Sequence, residues 1–555
     1  MSNTYKLWLT KLAARIHDPA EKALVLLRDP AGHEGGTSRA LQRLLNAALP
    51  TADIDPDNDE ALINVAFKKP LSKDIYALVH RADWWAAAAD RPQFPMTEQL
   101  IQTKKGEEKT TAIAQGSQVR WANKPVLIHP LTGTEMPLKG GLTETDIADI
   151  KQRSFMHHAA LLADLPALDS EDGARKALLA FWRFAPELAE EQDNGKLGSL
   201  WGVLPSDTRI PDHSIWDHLD LTSAFAGAFA ADSNQEVALL TVSLGPVQGF
   251  IAAARSTSDL WAGSHLLSRL AWELMRPLCE ELGPDAVLFP RLRGIAQVDL
   301  WLRDQMGLPA SLFKDCEWQK GSTDANPLFS AALPNRLVAV VPASQAQYWA
   351  DKMRDNVRNW LQTLGKTVVD ELLDVAGIAK DESLPCYQQM REQLHNFPEV
   401  HWAAVPFSLI GIANQQKQTG LNTTALQQAM APFFGSAPEV ANGFLASPAW
   451  QVLQQDIAWD DKTTFFAPNP GVLYPAVYDL AERIHAAAKA TRAFAQNPQT
   501  GWRCALTGEV EWLTTDREQL KKSYRQQTDT LWCKVHKKQK SWAKKGEHLG
   551  ALAAV

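Results

Sequence analysis

The sequence predicts an α+β, multidomain chain. A helical part covers residues 1–230, a strand-and-helix domain 235–412, and a mostly helical part 413–555. Three observations carry this expectation. A length of 555 residues exceeds what one hydrophobic core ordinarily fills. The two outer parts place Ala, Leu and Trp at helical spacing. The middle alone alternates short β-branched runs with two long helical periods.

Composition narrows the class. A hydrophobic fraction of 45% is ample for large cores, and many of the 20 Trp stand in helical segments where they are expected to fill them. No apolar run reaches bilayer length, so no membrane partner is expected. The N-terminus lacks an apolar signal core followed by a small-residue cleavage site. Five scattered cysteines speak against a disulfide framework and for a reducing compartment, so the cytoplasm is the expected location. A net charge of −8 excludes a chain that coats nucleic acid with its whole surface. The charge is uneven, however. From Arg517 to Lys545, ten Lys or Arg stand against Glu518 and Asp529. Such a face binds phosphates, or is simply solvated.

Leu7 to Ile16 reads as an amphipathic helix ending at His17-Asp18-Pro19. Adjacent His and Asp offer a neutral nitrogen and an anionic oxygen to one metal ion or to two neighbouring ones. Such a centre lowers the pKa of bound water and makes a nucleophile for phosphodiester hydrolysis. Downstream, His33 and His80 offer further imidazoles and Asp83 a carboxylate, unless Asp83 merely caps a helix. Asp90 and Arg91 read as an ion pair closing that helix. Residues 103–120 are polar, a loop or an edge hairpin, and His129 after them reads as structural. In residues 204–231, His213, Asp217 and His218 have ligand chemistry. The favoured reading pairs Asp207 with Arg209 and makes Asp217 the cap of a helix from His218 to Ala231. That helix is expected to pack on the N-terminal core.

The middle begins with a strand, Val237–Leu244, ended by Gly245-Pro246. A long helix, Gln248–Leu282, follows, then strands Ala286–Pro290 and Arg336–Val341, a helix Ala343–Leu373 and a strand His401–Ile410. The order βαββαβ is the ferredoxin-like plan. A strand, a Gly-Pro turn and a helix start present free backbone N–H groups that seat a phosphate, or the turn only packs. Gly245, Gln248, Arg255, Asp259, Ser264 and His265 are the binding candidates there. Arg291 and Arg293, between the second and third strands, face phosphates or are ordinary surface arginines.

The string GPVQGFIAAARSTSDLWAGSHLLS, residues 245–268, is similar to the first palm domain of the large subunit of type III-B CRISPR effector complexes (the Cmr module, Cas ten family). ARIHDPAEKAL, with His17, Asp18, Pro19 and Lys22, resembles the opening of that family's HD-nuclease domain, and HRADWWAAAADRP, with Asp83, resembles a later segment of it. Similar strings recur at 204–221, at FPRLRG and at QVDLWL, so the resemblance spans most of the chain. It implies an HD-type helical domain with linker over 1–230. It places a divalent metal (Mn, Ni or Mg) among His17, Asp18, His33 and Asp83, with His17, Asp18 and Asp83 as the catalytic set. It implies a palm whose Gly245, Gln248, Arg255, Asp259, Ser264 and His265 form one wall of an ATP pocket.

The end of the chain, from WRCALTGEVEWL onward, resembles the family's zinc-binding insert in a degenerate form. Cys504, Cys533, His536 and His548 are the remaining donors for a site that needs four, and a metal-free remnant is the favoured reading. Implied partners are other type III-B effector subunits, crRNA and target RNA, with single-stranded DNA as substrate. The family's second palm bears Gly-Gly-Asp-Asp, a string this chain does not contain. Cyclic oligoadenylate synthesis is therefore not expected of these residues, and a natural truncation, a fragment or a split subunit is. Two rivals stand beside this reading: a catalytically silent scaffold, and an HD-type phosphohydrolase acting on small nucleotides.

Overall fold

The computed structural model describes residues 2–25, 72–90, 95–102, 108–114, 126–129, 132, 134–137, 143–188, 198–207, 211–321, 323–414, 419–434, 443–453, 458–460, 463–465, 468–491 and 499–555. Helix α1 (Asn3–Arg15) opens at Ser2, whose hydroxyl accepts the Tyr5 N–H, and buries Leu7, Trp8, Leu9 and Leu12. Helix α2 (Lys73–Asp90) buries Ile75, Leu78, Ala82, Trp85 and Ala86. Strands β1 (Pro95–Gln102) and β2 (Glu108–Ala114) pair antiparallel, so residues 108–114 of the polar stretch form one arm of a hairpin. Strands β3 (Val126–Ile128) and β4 (Glu135–Pro137) form a second hairpin, where His129 Nδ1 accepts the Thr132 N–H. Helices α3 (Glu144–Leu162) and α4 (Glu171–Phe184) follow, each with a side-chain cap, from Thr143 and Ser170.

Helix α5 (Ile215–Ala231) begins earlier than expected. Its cap is Ser214, which accepts the Asp217 N–H, while the Asp217 carboxylate accepts the Ser214 hydroxyl. Asp217 thus sits in the first turn and is not the cap itself. Arg209, its neighbour Thr208 and Arg91 lie outside the described residues.

The central sheet is built from β5 (Val237–Gly245), β6 (Val287–Phe289), β7 (Arg336–Pro342) and β8 (Glu399–Pro406), in the order β6-β7-β5-β8, antiparallel throughout. Between them run α6 (Thr257–Leu282), α7 (Ala346–Ala376) and α8 (Pro385–Leu394). The helix expected to start at Gln248 is divided. A single turn, Gln248–Ala252, precedes α6, which opens at Ser256 with the Asp259 N–H on its hydroxyl. The last strand ends at Pro406, and a 3₁₀ turn, Phe407–Leu409, replaces its expected tail.

Both faces of β5 are covered. Ala238, Leu240, Val242 and Leu244 join α6 and α7 in one core, and Val237 and Leu239 join α1, α2 and α5 in another. A strand buried on both faces needs apolar side chains in both directions, so this run reads as nearly continuous rather than alternating.

The C-terminal part is less helical than expected. Strands β9 (Gly411–Asn414) and β10 (Thr419–Asn422) form a hairpin, and β11 (Ala458–Asp460) and β12 (Thr463–Phe465) extend the β1–β2 hairpin into a four-stranded sheet. Helix α9 (Tyr474–Ala490) packs on β5 and β8. Residues 499–555 are mainly turns around α10 (Leu531–Lys538), held to α7 and α8 by Trp512, Leu513 and Trp532.

Two predictions follow from this packing. A Cβ on Gly471 would lie 2.1 Å from the Trp85 carbonyl oxygen in α2. Gly471→Ala is expected to destabilise the chain by about 1–3 kcal/mol and to displace α2, read as a lower urea midpoint. Burial pushes His158 down to about 3, aided by His157 and Arg15 against its hydrogen bond to the Ser154 carbonyl. The unfolded value of 6.5 is higher, so the contribution of His158 is full above pH 6.5 and is lost as pH falls towards 3. Urea midpoints across this window are expected to fall less steeply in His158→Asn.

Candidate metal centre

Helices α1 and α5 bring the ends of two distant segments together. They pack antiparallel: Lys11 Nζ donates to the Ser223 carbonyl, Arg15 pairs with Asp220, and His17-Asp18 arrive opposite His218. The approach is close, since a Cβ on Gly227 would meet Lys11 Cδ at 2.7 Å. Lys11 is itself buried and paired with Asp285 at 3.1 Å. Helix α2 lies against both α1 and α5 and contributes Asp83.

His17, Asp18, Asp83 and His218 offer one ligand atom each, all within 4.8 Å of one another. His17 Nε2 is 3.3 Å from an oxygen of Asp18 and 3.3 Å from one of Asp83. His218 Nε2 is 3.7 Å from Asp18 and 3.3 Å from Asp83. A tetrahedron with bonds of ~2.1 Å has edges of about 3.4 Å, the spacing a single ion of this kind needs.

The remaining ring nitrogens are committed elsewhere. His17 Nδ1 donates to the Ala14 carbonyl at 2.7 Å, and His218 Nδ1 donates to Asp90 Oδ2 at 2.7 Å. Each bond leaves Nε2 directed at the cluster, the orienting arrangement found around metal-bound imidazoles. Two imidazoles and two carboxylates suit Mn, Ni and similar cations better than a thiolate-seeking metal. Asp18 and His218 are 2% and 3% exposed, His17 and Asp83 15% and 20%, so the open side lies at His17 and Asp83.

Charge explains the tightness of the group. Burial disfavours the imidazolium of His17, but the Asp18 and Asp83 carboxylates outweigh it and push its pKa up to about 10. His218 is raised in the same way, burial being overcome by Asp83 and Asp90. Burial opposes ionisation of Asp18 and Asp83; Lys22 and His17 hold Asp18 below the carboxylate range, and His17 and His218 hold Asp83 there. A cation entering this site replaces protons on the imidazoles while the carboxylates are already ionised.

Residues 239–366 match the family model described as CRISPR-associated protein Cmr2, N-terminal. The chain is 33% identical over 194 residues to the CRISPR system Cmr subunit Cmr2 of Pyrococcus furiosus, covering 35% of this chain and 20% of that protein. It is 40% identical over 98 residues to the Saccharolobus solfataricus Cmr2, covering 18% of this chain and 9% of that one. The chain resembles a Cmr large subunit. Among solved structures, the Type III-B Cmr-beta apo state matches 98% of this chain and 49% of its own, with a TM-score of 0.54 at 17% identity. Cmr-beta bound to cognate target RNA matches 98% of this chain and 48% of its own, at a TM-score of 0.53 and 17% identity. At these identities the likeness is one of fold. The chain spans about half the length of these Cmr-beta chains.

Of the residues read from the sequence as metal ligands, the structure unites His17, Asp18 and Asp83 and adds His218. His33 lies outside the described residues. His80 is exposed on α2, stacks on Tyr76 and meets Trp84 at a tilt, and is not a member of the cluster. The pair expected between Asp90 and Arg91 lies outside the described residues, and Asp90 accepts from His218. His213 bonds to Asp212 and Ser206.

Cys504 and Cys533 join no ligand cluster among the described residues. Cys533 Sγ donates to the Gln527 carbonyl, His536 Nδ1 to the Ala543 carbonyl, and His548 Nε2 meets the Thr530 hydroxyl, so packing and turn contacts occupy these donors.

The Cmr-like binding candidates divide. Gly245 and Gln248 line a cavity of about 320 Å³ with Asn335, Glu399, His401 and Lys489. Arg255 is held by Asp259 and by Glu547 from the C-terminal module. His265 Nε2 donates to the Leu328 carbonyl and its ring stacks on Trp261, while Ser264 lies beside it, half-buried.

The sequence reading favoured a structural role for His218. The signal that could have separated it from one is its setting: a histidine on a helix otherwise lined by Ile215, Trp216, Leu219 and Phe225, where a buried imidazole needs polar partners. Asp90→Ala removes the acceptor that orients His218 without removing a candidate ligand. It is expected to weaken Mn²⁺ affinity about 10- to 100-fold, read by calorimetry, with the chain still folded.

Proposed function

We propose that this chain is the portion of a type III-B CRISPR effector large subunit that carries a metal-dependent phosphodiesterase centre acting on single-stranded DNA. The observation that carries the reading is the convergence of His17, Asp18, Asp83 and His218 with both Nε2 atoms directed inward. These four side chains would hold a divalent cation. The chemistry such an ion supplies when bound is Lewis-acid activation of water towards a phosphodiester.

The chain's own groups prepare the site. The Ala14 carbonyl and Asp90 hold the imidazoles in orientation, and Lys22 keeps Asp18 ionised by pairing with it. The partial exposure of His17 and Asp83 leaves a strand its approach.

Assembly fits the same reading. Nine of the basic residues between Arg517 and Lys545 are exposed and only Lys534 is half-buried, a solvent-facing cationic strip suited to RNA phosphates. Other effector subunits, crRNA and target RNA are the partners proposed for this surface and its surroundings. The cavity at Gly245 and Gln248, with Lys489 on its wall, is proposed as one side of an ATP pocket.

Manganese-dependent cleavage of single-stranded DNA by the purified chain, beside His17→Ala and Asp18→Ala, tests the centre. Cleavage is expected in the parent and a loss of about a hundredfold or more in each variant, with circular dichroism unchanged. No cleavage by the parent, with and without partner subunits loaded with target RNA, would sink the nuclease reading and leave a silent scaffold.

A further inference from the structure

Three large aromatic side chains stand exposed in the last part of the chain: Trp502 at 48%, Tyr524 at 64% and Trp542 at 42%. No large aliphatic side chain of residues 499–555 is exposed to that degree, so the apolar character of this surface is aromatic alone.

The rings lie among the basic residues of the strip. Trp542 stands between Lys540 and Lys544, and Tyr524 between Lys522 and Arg525. Trp502 joins them through space, because its Nε1 donates to the Lys522 carbonyl at 2.8 Å. Tyr524 reaches the turn at Lys545, since a Cβ on Gly546 would lie 2.7 Å from its hydroxyl. The Lys522 carbonyl also accepts from Gln527 Nε2 at 2.9 Å, which fixes the turn that carries Tyr524. Among the described residues none of the three packs ring against ring; the aromatic pair of this module is the buried Trp512 with His548.

The surrounding cations are largely uncommitted. Lys521 pairs with Glu518 and Lys534 with Asp529. Among the described residues Lys522, Arg525, Lys540, Lys544 and Lys545 pair with no carboxylate. Glu547, the acid of the Gly546 turn, is taken by Arg255 and by the Lys544 N–H.

Free cations with bare aromatic faces between them match a chain that alternates anionic links with flat rings. A nucleic-acid strand with unpaired bases is such a chain. In a duplex the base faces are covered by their neighbours, and an acidic peptide supplies the charge without the rings.

We propose that this surface binds unpaired RNA, its bases stacked on Trp502, Tyr524 and Trp542 and its phosphates on Lys522, Arg525, Lys544 and Lys545. The proposal rests on the reading of the strip as the RNA face of an effector large subunit, from which the choice of RNA over DNA follows. It adds that the face recognises unpaired bases and not phosphates alone.

Fluorescence anisotropy of a short labelled oligouridylate with the full chain in EDTA tests it. Saturable binding is expected, about tenfold tighter than for the same strand paired with oligoadenylate. Tyr524→Leu and Trp542→Leu keep an apolar side chain and remove the flat face. Each is expected to weaken binding about fivefold or more, with the salt dependence unchanged. Tyr524→Phe is expected to bind like the parent. Lys545→Gln is expected to weaken binding and to lower the slope of log affinity against log salt by about 0.7.

Equal affinity for paired and unpaired RNA would overturn the proposal, as would tighter binding of oligothymidylate or displacement of the RNA by polyglutamate at equal charge. Undiminished affinity in both folded leucine variants overturns the stacking alone and leaves the cationic face standing. No binding of RNA in any form overturns both. EDTA keeps the metal centre out of the measurement, so RNA binding by a chain that cleaves no DNA sinks the phosphodiesterase reading and leaves this proposal standing.

Discussion

The antiparallel contact between α1 and α5 is the constraint on which the rest of the site depends. It is made at a glycine, Gly227, where the buried stem of Lys11 lies against backbone, and it is locked by charge. Lys11 with Asp285 ties α1 to the turn after α6, and Arg15 with Asp220 and Arg293 ties it to α5 and to the segment after β6. Such buried pairs add little net stability over apolar packing, but breaking one leaves an uncompensated charge. They fix the register of α1 on α5, and that register decides which residue of α5 stands opposite His17 and Asp18.

The central sheet acts on the site from a distance. Its two faces are covered by different sets of helices, and the set containing α1, α2 and α5 is the one that holds the candidate metal ligands. Packing on β5 therefore sets the relative positions of three helices that contribute ligands from residues 17, 18, 83 and 218. Helix α9 rests on the same sheet, and the turn before it presses Gly471 against α2. The site is thus supported by segments from both ends of the chain.

The cluster and the cavity beside it, lined by Asp90, Asp220 and Arg293, differ in charge character. In the cluster, two carboxylates and two imidazoles satisfy one another, and a divalent cation would exchange with protons. Beside the cavity, the Arg293 guanidinium keeps a buried donor with no acceptor among the described residues, and no change of protonation removes it. Asp90 touches both, as acceptor for His218 and as cavity wall.

The sequence by itself determined most of the central elements and named three members of the cluster. The β-branched run at 239–244, the helical periods of α6 and α7, and the strands near 287, 336 and 401 overlap the observed elements, with ends that differ by a few residues, because period and turn residues are local properties. His17, Asp18 and Asp83 were legible through adjacency and through resemblance of the strings around them. Only the tertiary structure decided that His218 completes the set, that Asp90 orients it, and that Cys504 and Cys533 stay apart. The physical reason is that a ligand set is a statement about distance. Residues 18 and 218 approach to 3.7 Å through helix packing and buried ion pairs, and no local spacing along the chain records that approach.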